Sequence, residues 1–226
     1  MKKFTRLNIT AEGQTEERFV KQTLSIHLGE YNISTAVRCV LTSKDKNKFH
    51  RGGLVNYQKA KNDIFNWLKE DRHPEARFTS MFDLYALPND FPGFETSEKI
   101  ANPYKKVEFL EEAFANDIND KRFIPYIQLH EFEALLFSKP EALKVEYFEH
   151  FTAIERLKKI VAETGNPELI NDNPDTAPSK RIINLIPEYA KNKASAGATV
   201  AGIIGIELLK RGCKHFNDWV IKLENL

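Results

Sequence analysis

Residues 4–20 read FTRLNITAEGQTEERFV. Phe4 to Ala11 mixes apolar and β-branched residues and stops at Glu12-Gly13, the pattern of a buried strand closed by a tight turn. Thr15 stands where it can cap a helix from Glu16 to about Leu28, with Phe19, Val20, Leu24 and Leu28 at helical spacing. The same alternation continues outward. A strand is predicted over Asn32–Leu41, a charged loop over Ser43–Gly53, and a helix over Tyr57–Glu70 with Tyr57, Ala60, Ile64, Trp67 and Leu68 on one face. A third strand follows at Phe78–Ala86, then the loop PNDFPG, a helix near Lys105–Asn116, and a strand at Phe123–Leu129 that runs into a helix at Glu131–Phe137. Strand-helix alternation implies an α/β fold whose parallel sheet is covered on both faces.

From Lys139 onward only helical periodicity remains, at Ile154–Glu163, Ser179–Tyr189, Ala196–Arg211 and His215–Leu226. The chain therefore divides into an α/β core over 1–138 and a helical C-terminal region over 139–226 that packs on it as one unit. Val200, Ile203, Ile204, Ile206, Leu208 and Leu209 read as core, while Ala194–Gly197 and the glycines at 202 and 205 would admit another helix at close range.

The 226 residues are 42% hydrophobic and 29% charged, a balance that excludes wholesale disorder. The net charge of +1 gives no global basic field, so nucleic-acid binding would need a local patch, a metal or a partner. Cys39 and Cys213 have no zinc-ligand spacing and read as reduced thiols of a cytoplasmic protein. The N-terminus lacks the apolar run of a signal peptide, and no stretch is long enough to span a membrane.

In a parallel sheet, ligands collect at the carboxyl ends of the strands. The first strand ends at Glu12, with Glu16 one helical turn on. The third carries Asp83 near its end and Asp90 in its exit loop, and the fourth ends at Glu131 with Glu133 just beyond. Crowded carboxylates repel unless a cation lies between them, and hard oxygen ligands select Mg²⁺, Mn²⁺ or Ca²⁺ over zinc. Glu131 and Glu133 lie about 200° apart on a regular helix, so both reach one site only if that junction is irregular. Two basic elements are placed to hold phosphate: Lys44, Lys46, Lys48 and Arg51 in the charged loop, and Lys180 and Arg181 at a helix start. The histidines show no metal spacing.

AEGQTEERFV (11–20) resembles the first Toprim motif, FDLYALPNDFPGF (82–94) stands in the place of the Toprim aspartate motif, and LHEFEALLF (129–137) looks like the acidic helix start of Toprim nucleases of the overcoming-lysogenization-defect type. With APSKRI (177–182) and CKHFNDW (213–219), nearly the whole chain resembles the bacterial Toprim-like family catalogued as domain of unknown function 4276. The resemblance implies a Toprim-like parallel sheet and metal-dependent cleavage of phosphodiesters with Mg²⁺ or Mn²⁺. Glu12 and Asp83 would serve one metal and Glu131 and Glu133 a second, with Glu16 shared between them or supporting the ligands from behind. It also implies a nucleic-acid substrate, DNA before RNA, and an ABC-type ATPase partner in phage defence. The usual Asp-x-Asp is here Asp83-Leu84-Tyr85, so Asp90 or the two later glutamates would have to replace the second aspartate. Two other readings stand beside this one: a non-catalytic Toprim-like subunit that regulates a partner, and a response-regulator-like or phosphatase-like α/β domain. The oligomeric state is not legible.

Overall fold

Strand β1 (Thr5–Ala11) is buried along almost its whole length, which a strand achieves only inside a sheet covered on both faces. A computed structural model describes residues 4–45, 48–51, 54, 56–170 and 176–226. After β1 come α1 (Gln14–Phe19), a π-helical segment (Val20–Leu24) and α2 (Ser25–Gly29), so the expected single helix is widened in its middle. Its N-cap is Gly13 and not Thr15, which lies inside the first turn, and the Glu16 carboxylate reaches back to the Gly13 N–H. Next are β2 (Ile33–Cys39), β3 (Leu41–Asp45), β4 (Lys48–Arg51), α3 (Tyr57–Glu70) and β5 (Ala76–Asp83). The segment expected as a charged loop instead contains the antiparallel pair β3–β4, with Lys44 opposite Phe49 and Asp45 opposite Lys48.

Helix α4 (Phe94–Ser97) and helix α5 (Pro103–Ile118) lead to β6 (Phe123–Ile124) and β7 (Ile127–Gln128). These two short strands replace the single strand expected at Phe123–Leu129. Pro125 has no N–H for the ladder and divides them. The neighbouring donors are satisfied by side chains: Tyr126 N–H donates to Ser80 Oγ (2.9 Å) and Ile127 N–H to Glu111 Oε1 (2.8 Å).

The main sheet is parallel with order β2-β1-β5-β6, and β7 pairs with β5 beyond β6. The chain steps from β1 outward to β2, then crosses back to β5 on the other side of β1. The sheet therefore has its topological switch point between β1 and β5. Right-handed crossovers in opposite directions put their helices on opposite faces. Accordingly α3 and α5 bury Tyr57, Ile64, Trp67, Leu110 and Phe114 against Phe78 and Phe82. On the opposite face Phe19, Val20 and Leu24 pack with Leu7, Ile9 and Met81.

That second face is completed by the C-terminal region. After a 3₁₀ segment at Phe132–Ser138 it comprises a 3₁₀ segment at Pro140–Val145, α6 (Phe151–Thr164), a 3₁₀ turn at Pro167–Leu169, then α7 (Pro178–Leu185), α8 (Tyr189–Ile204), α9 (Ile206–Gly212) and α10 (Lys214–Glu224). Trp219 of α10 stacks on Tyr126 at 4.1 Å and donates its indole N–H to Thr79 Oγ1 of β5 (3.0 Å). Gly197 lets α8 lie against α1: a Cβ there would stand 3.0 Å from Tyr189 Oη and 3.2 Å from Thr15 Cγ2. Gly205, at φ +79°, breaks the expected long helix into α8 and α9. Ile203 and Leu208, expected in the core, are instead exposed, whereas Val200, Ile204, Ile206 and Leu209 are buried. Among the described residues no helix is long and apolar enough to cross a membrane.

Candidate metal centre

Glu12 and Asp83 follow directly from the ladder. Ala11 is paired with Met81, so the residues just past it on β1 and β5 flank the switch-point crevice. Glu12 N–H donates to Met81 O (3.0 Å), and the Glu12 carboxylate crosses the crevice to accept the Asp83 N–H (2.9 Å). Glu16, on the first turn of α1, is buried. Asp83 Oδ1 is buried and, among the described residues, has no hydrogen-bond donor.

Glu131 and Glu133 come together because their junction is irregular. Glu131 is extended (φ −155°, ψ 165°) and the turn after it is 3₁₀, not α-helical. Both carboxylates then face one ammonium, with Lys193 Nζ 3.7 Å from Glu131 and 3.2 Å from Glu133. Glu131 also accepts the backbone N–H of Ser179 and the Ser179 hydroxyl (2.9 Å), and Glu133 accepts the Tyr189 hydroxyl (2.9 Å). Glu133 is fully buried, and its Oε2 lacks a hydrogen bond of good geometry.

Among the described residues, five carboxylates thus share one neighbourhood with one ammonium, and their ionisation shows the strain. Burial, then the nearby Glu16 charge, pushes Glu12 up to about 8, against the pull of the Asp83 N–H and Lys193. Burial pushes Glu133 up to about 7, with Lys193 opposing and Glu131 reinforcing. Glu16 is raised by burial, and Asp83 is raised well above the carboxylate range by burial and then by the charges of Glu12 and Glu16. Lys193 is held protonated by Glu133, Glu131 and Asp83 despite its partial burial. The buried Oδ1 of Asp83, without a donor among the described residues and set among oxygen donors, fits a hard divalent cation. Among the described residues, the triple whose donor atoms all lie within 4.8 Å of one another is elsewhere, at His27, Glu207 and Glu224. There Glu224 already pairs with His27 and Lys210. The acids at the sheet edge are spread more widely than that, around the Lys193 ammonium.

Asp90, expected as a replacement ligand, is not at this centre. Its carboxylate accepts the Tyr57 N–H (3.0 and 3.2 Å), satisfying a donor left open at the start of α3. The helix start expected to present Lys180 and Arg181 to phosphate is also taken, because α7 directs its Ser179 N–H at Glu131. Lys180 is exposed, and Arg181 Nε donates to Thr176 O (2.7 Å). Lys44 lies on β3, and Lys48 and Arg51 lie on β4. Lys46 is outside the described residues. Tyr85, where a second aspartate would stand, packs its ring against His130 (5.5 Å).

Three residues of the centre had not been singled out: Ser179, Tyr189 and Lys193. Tyr189 and Lys193 are four apart, one above the other on a helix face. That spacing, just ahead of the small-residue run Ala194–Gly197, was the available signal. Helix α8 leaves helical geometry at Asn192 (φ −119°, ψ 15°), immediately before Lys193.

No curated protein and no solved structure matched the chain. The sequence model of one family does match, over residues 11–224, a span that takes in every member of the acidic centre, and the chain belongs to that family, described as domain of unknown function (DUF4276).

Proposed function

We propose that this chain is a divalent-metal-dependent nuclease of Toprim-like design, hydrolysing phosphodiesters with Asp83, Glu12 and Glu133 as the principal holders of Mg²⁺ or Mn²⁺. The observation that carries the reading is the buried Asp83 Oδ1 at the switch point, donorless among the described residues and ringed by carboxylates that one ammonium does not neutralise. A bound cation would supply charge for the phosphate oxygens and acidify a water nucleophile. The protein's own groups do the rest. The Asp83 N–H fixes the Glu12 carboxylate across the crevice, and the Glu16 bond to Gly13 N–H fixes the turn that carries Glu12. Ser179 and Tyr189 hold Glu131 and Glu133 in place. Lys193, with about 40% of its side chain exposed, offers a positioned cation to an incoming phosphate. Because Glu12 and Glu133 retain protons near neutral pH without metal, metal binding should release protons. DNA is the favoured substrate, and phage defence beside an ABC-type ATPase, in the cytoplasm, is the proposed setting. Both rest on the Toprim resemblance.

The test is cleavage of plasmid DNA and of RNA with Mg²⁺ or Mn²⁺, by wild type and by Glu12→Gln and Asp83→Asn. Both variants should fold and lose cleavage. Variants that cut as well as wild type would refute the assignment. One observation favours a second reading, a non-catalytic subunit that regulates a partner: Lys193 already pairs with Glu131 and Glu133. An absence of calorimetric metal binding and of cleavage would select it.

A further inference from the structure

The acidic centre has two halves that differ in how their oxygens are supplied. In the first, the Glu12 carboxylate accepts the Asp83 N–H (2.9 Å), while Asp83 Oδ1 is buried and meets no donor among the described residues. In the second, each carboxylate oxygen has a donor beside it. Glu131 Oε1 accepts the Ser179 N–H, and Glu131 Oε2 accepts the Ser179 hydroxyl (2.9 Å) with Lys193 Nζ 3.7 Å away. Glu133 Oε1 accepts the Tyr189 hydroxyl (2.9 Å), and Glu133 Oε2 stands 3.2 Å from Lys193 Nζ. One ammonium thus serves both carboxylates of the second half. The fold places that lysine. Tyr189, Lys193 and Gly197 recur at four-residue steps along α8. Although Asn192 leaves helical geometry, Tyr189 Oη still lies 3.0 Å from where a Cβ on Gly197 would stand, so the three share one stripe. The same Cβ would stand 3.2 Å from Thr15 Cγ2 and 3.6 Å from Phe132 Cε1. Thr15 directly precedes Glu16, and Phe132 lies between Glu131 and Glu133, so α8 is docked where the two halves meet.

We propose that the Lys193 ammonium stands in the place of a second metal ion, so that the centre takes a single divalent cation, at its Glu12 and Asp83 half. Glu133 borders both cations. The proposal rests on the metal-dependent reading above and replaces the expectation that Glu131 and Glu133 hold a metal of their own. A second Mg²⁺ would demand near-octahedral oxygens at about 2.0–2.1 Å. Glu131 and Glu133 would have to release the ammonium and turn away from Ser179 and Tyr189 to supply them. The ammonium needs no such rearrangement. It is a compact charge with three donors, more than its two carboxylate contacts among the described residues use. In a two-metal site the second ion clamps an oxygen of the transferring phosphate. Lys193, with 40% of its side chain exposed, can meet that oxygen as a fixed cation instead.

The experiment counts Mn²⁺ ions bound per chain, by calorimetry and by electron paramagnetic resonance, in wild type, Lys193→Arg and Lys193→Gln. Thermal melts with and without Mn²⁺ follow the folding of each. Wild type and Lys193→Arg should bind one ion and show the spectrum of an isolated ion. Lys193→Gln should bind two, with the exchange-coupled spectrum of neighbouring ions, and Mn²⁺ should raise its Tm more than it raises that of wild type. The proposal is overturned if wild type binds a coupled pair, or if folded Lys193→Gln still binds one ion. It is also overturned if Lys193→Gln stays unfolded in saturating Mn²⁺, because a second ion should take over the task of the ammonium. A wild type that binds no ion removes the metal reading and this inference with it. A coupled pair in wild type removes only this inference, so the two failures are distinct.

Discussion

Replacing Glu12 by Gln should stabilise the metal-free protein, and by an amount that grows with pH. In the unfolded chain the Glu12 carboxyl ionises near 4.5, and in the folded chain only at about 8. Between those values the folded state binds the extra proton, so stability falls as pH rises, by about 1.36 kcal/mol per pH unit for one such group. From 4.5 to pH 7 that accumulates to roughly 3 kcal/mol, an upper figure because neighbouring carboxylates share the titration. Gln has no charge to lose, and its amide oxygen can still accept the Asp83 N–H. For a chain of this length 1 kcal/mol is about 2–4 °C in Tm, so the gain at pH 7 should reach roughly 6–12 °C. The assay is a set of thermal melts in EDTA from pH 5 to pH 9 for both proteins. The curves should converge near pH 5 and separate steadily up to pH 8. Saturating Mg²⁺ should raise wild type more than the variant, because the variant lacks a ligand charge. A variant that is equally or less stable throughout, or a wild type whose Tm is flat with pH in EDTA, would refute the reasoning.

Lys193→Met should lower metal-free stability by about 1–3 kcal/mol, the cost of leaving Glu133 buried without its cation, discounted for the ammonium's exposure. It should also raise the Glu133 pKa above about 7, which a carboxylate NMR titration would read. Gly197→Val should cost about 1–3 kcal/mol by chemical denaturation, since even its Cβ would stand 3.0 Å from Tyr189 Oη. Trp219→Phe should cost a similar ~1–3 kcal/mol, because Thr79, buried on β5, loses its indole donor.

How far the sequence foretold the centre depends on where each group's position is decided. Glu12 and Asp83 were legible because a strand pattern ending in an acid fixes both the residue's depth and its sheet edge. The parallel register then needs nothing further to bring them together. Glu131 and Glu133 were legible only as a condition, since periodicity cannot say whether a turn is α or 3₁₀. Asp90 accepts the Tyr57 N–H, because a carboxylate in a Pro/Gly loop can serve as a cap for a neighbouring helix and α3 starts within its reach. Pro125 gave a plain local warning that the last strand is divided, and the hydrophobic run around it obscured that warning.

Lys193, Tyr189 and Ser179 were illegible for a different reason. The four-residue spacing of Tyr189 and Lys193 marks a shared helix face, but it does not name two acids of the distant 3₁₀ turn as the partners. The partnership exists because Gly197 lets α8 lie against α1 and the Phe132 ring, and that contact is tertiary. This bears on how the acidic centre is to be understood. The sheet supplies negative charge at its switch point whatever packs above it. The C-terminal helices supply the Lys193 cation and the Ser179 and Tyr189 hydroxyls that make such crowding compatible with a folded state. Among the described residues one ammonium stands against five carboxylates, and Asp83 and Glu133 are pushed toward their protonated forms. Added divalent charge relieves that excess more directly than any rearrangement of the chain. On the proposed metal-binding reading, the same helices would set how strongly the centre competes for a cation, and changes on α8 should alter metal affinity without touching Glu12, Asp83 or Glu133.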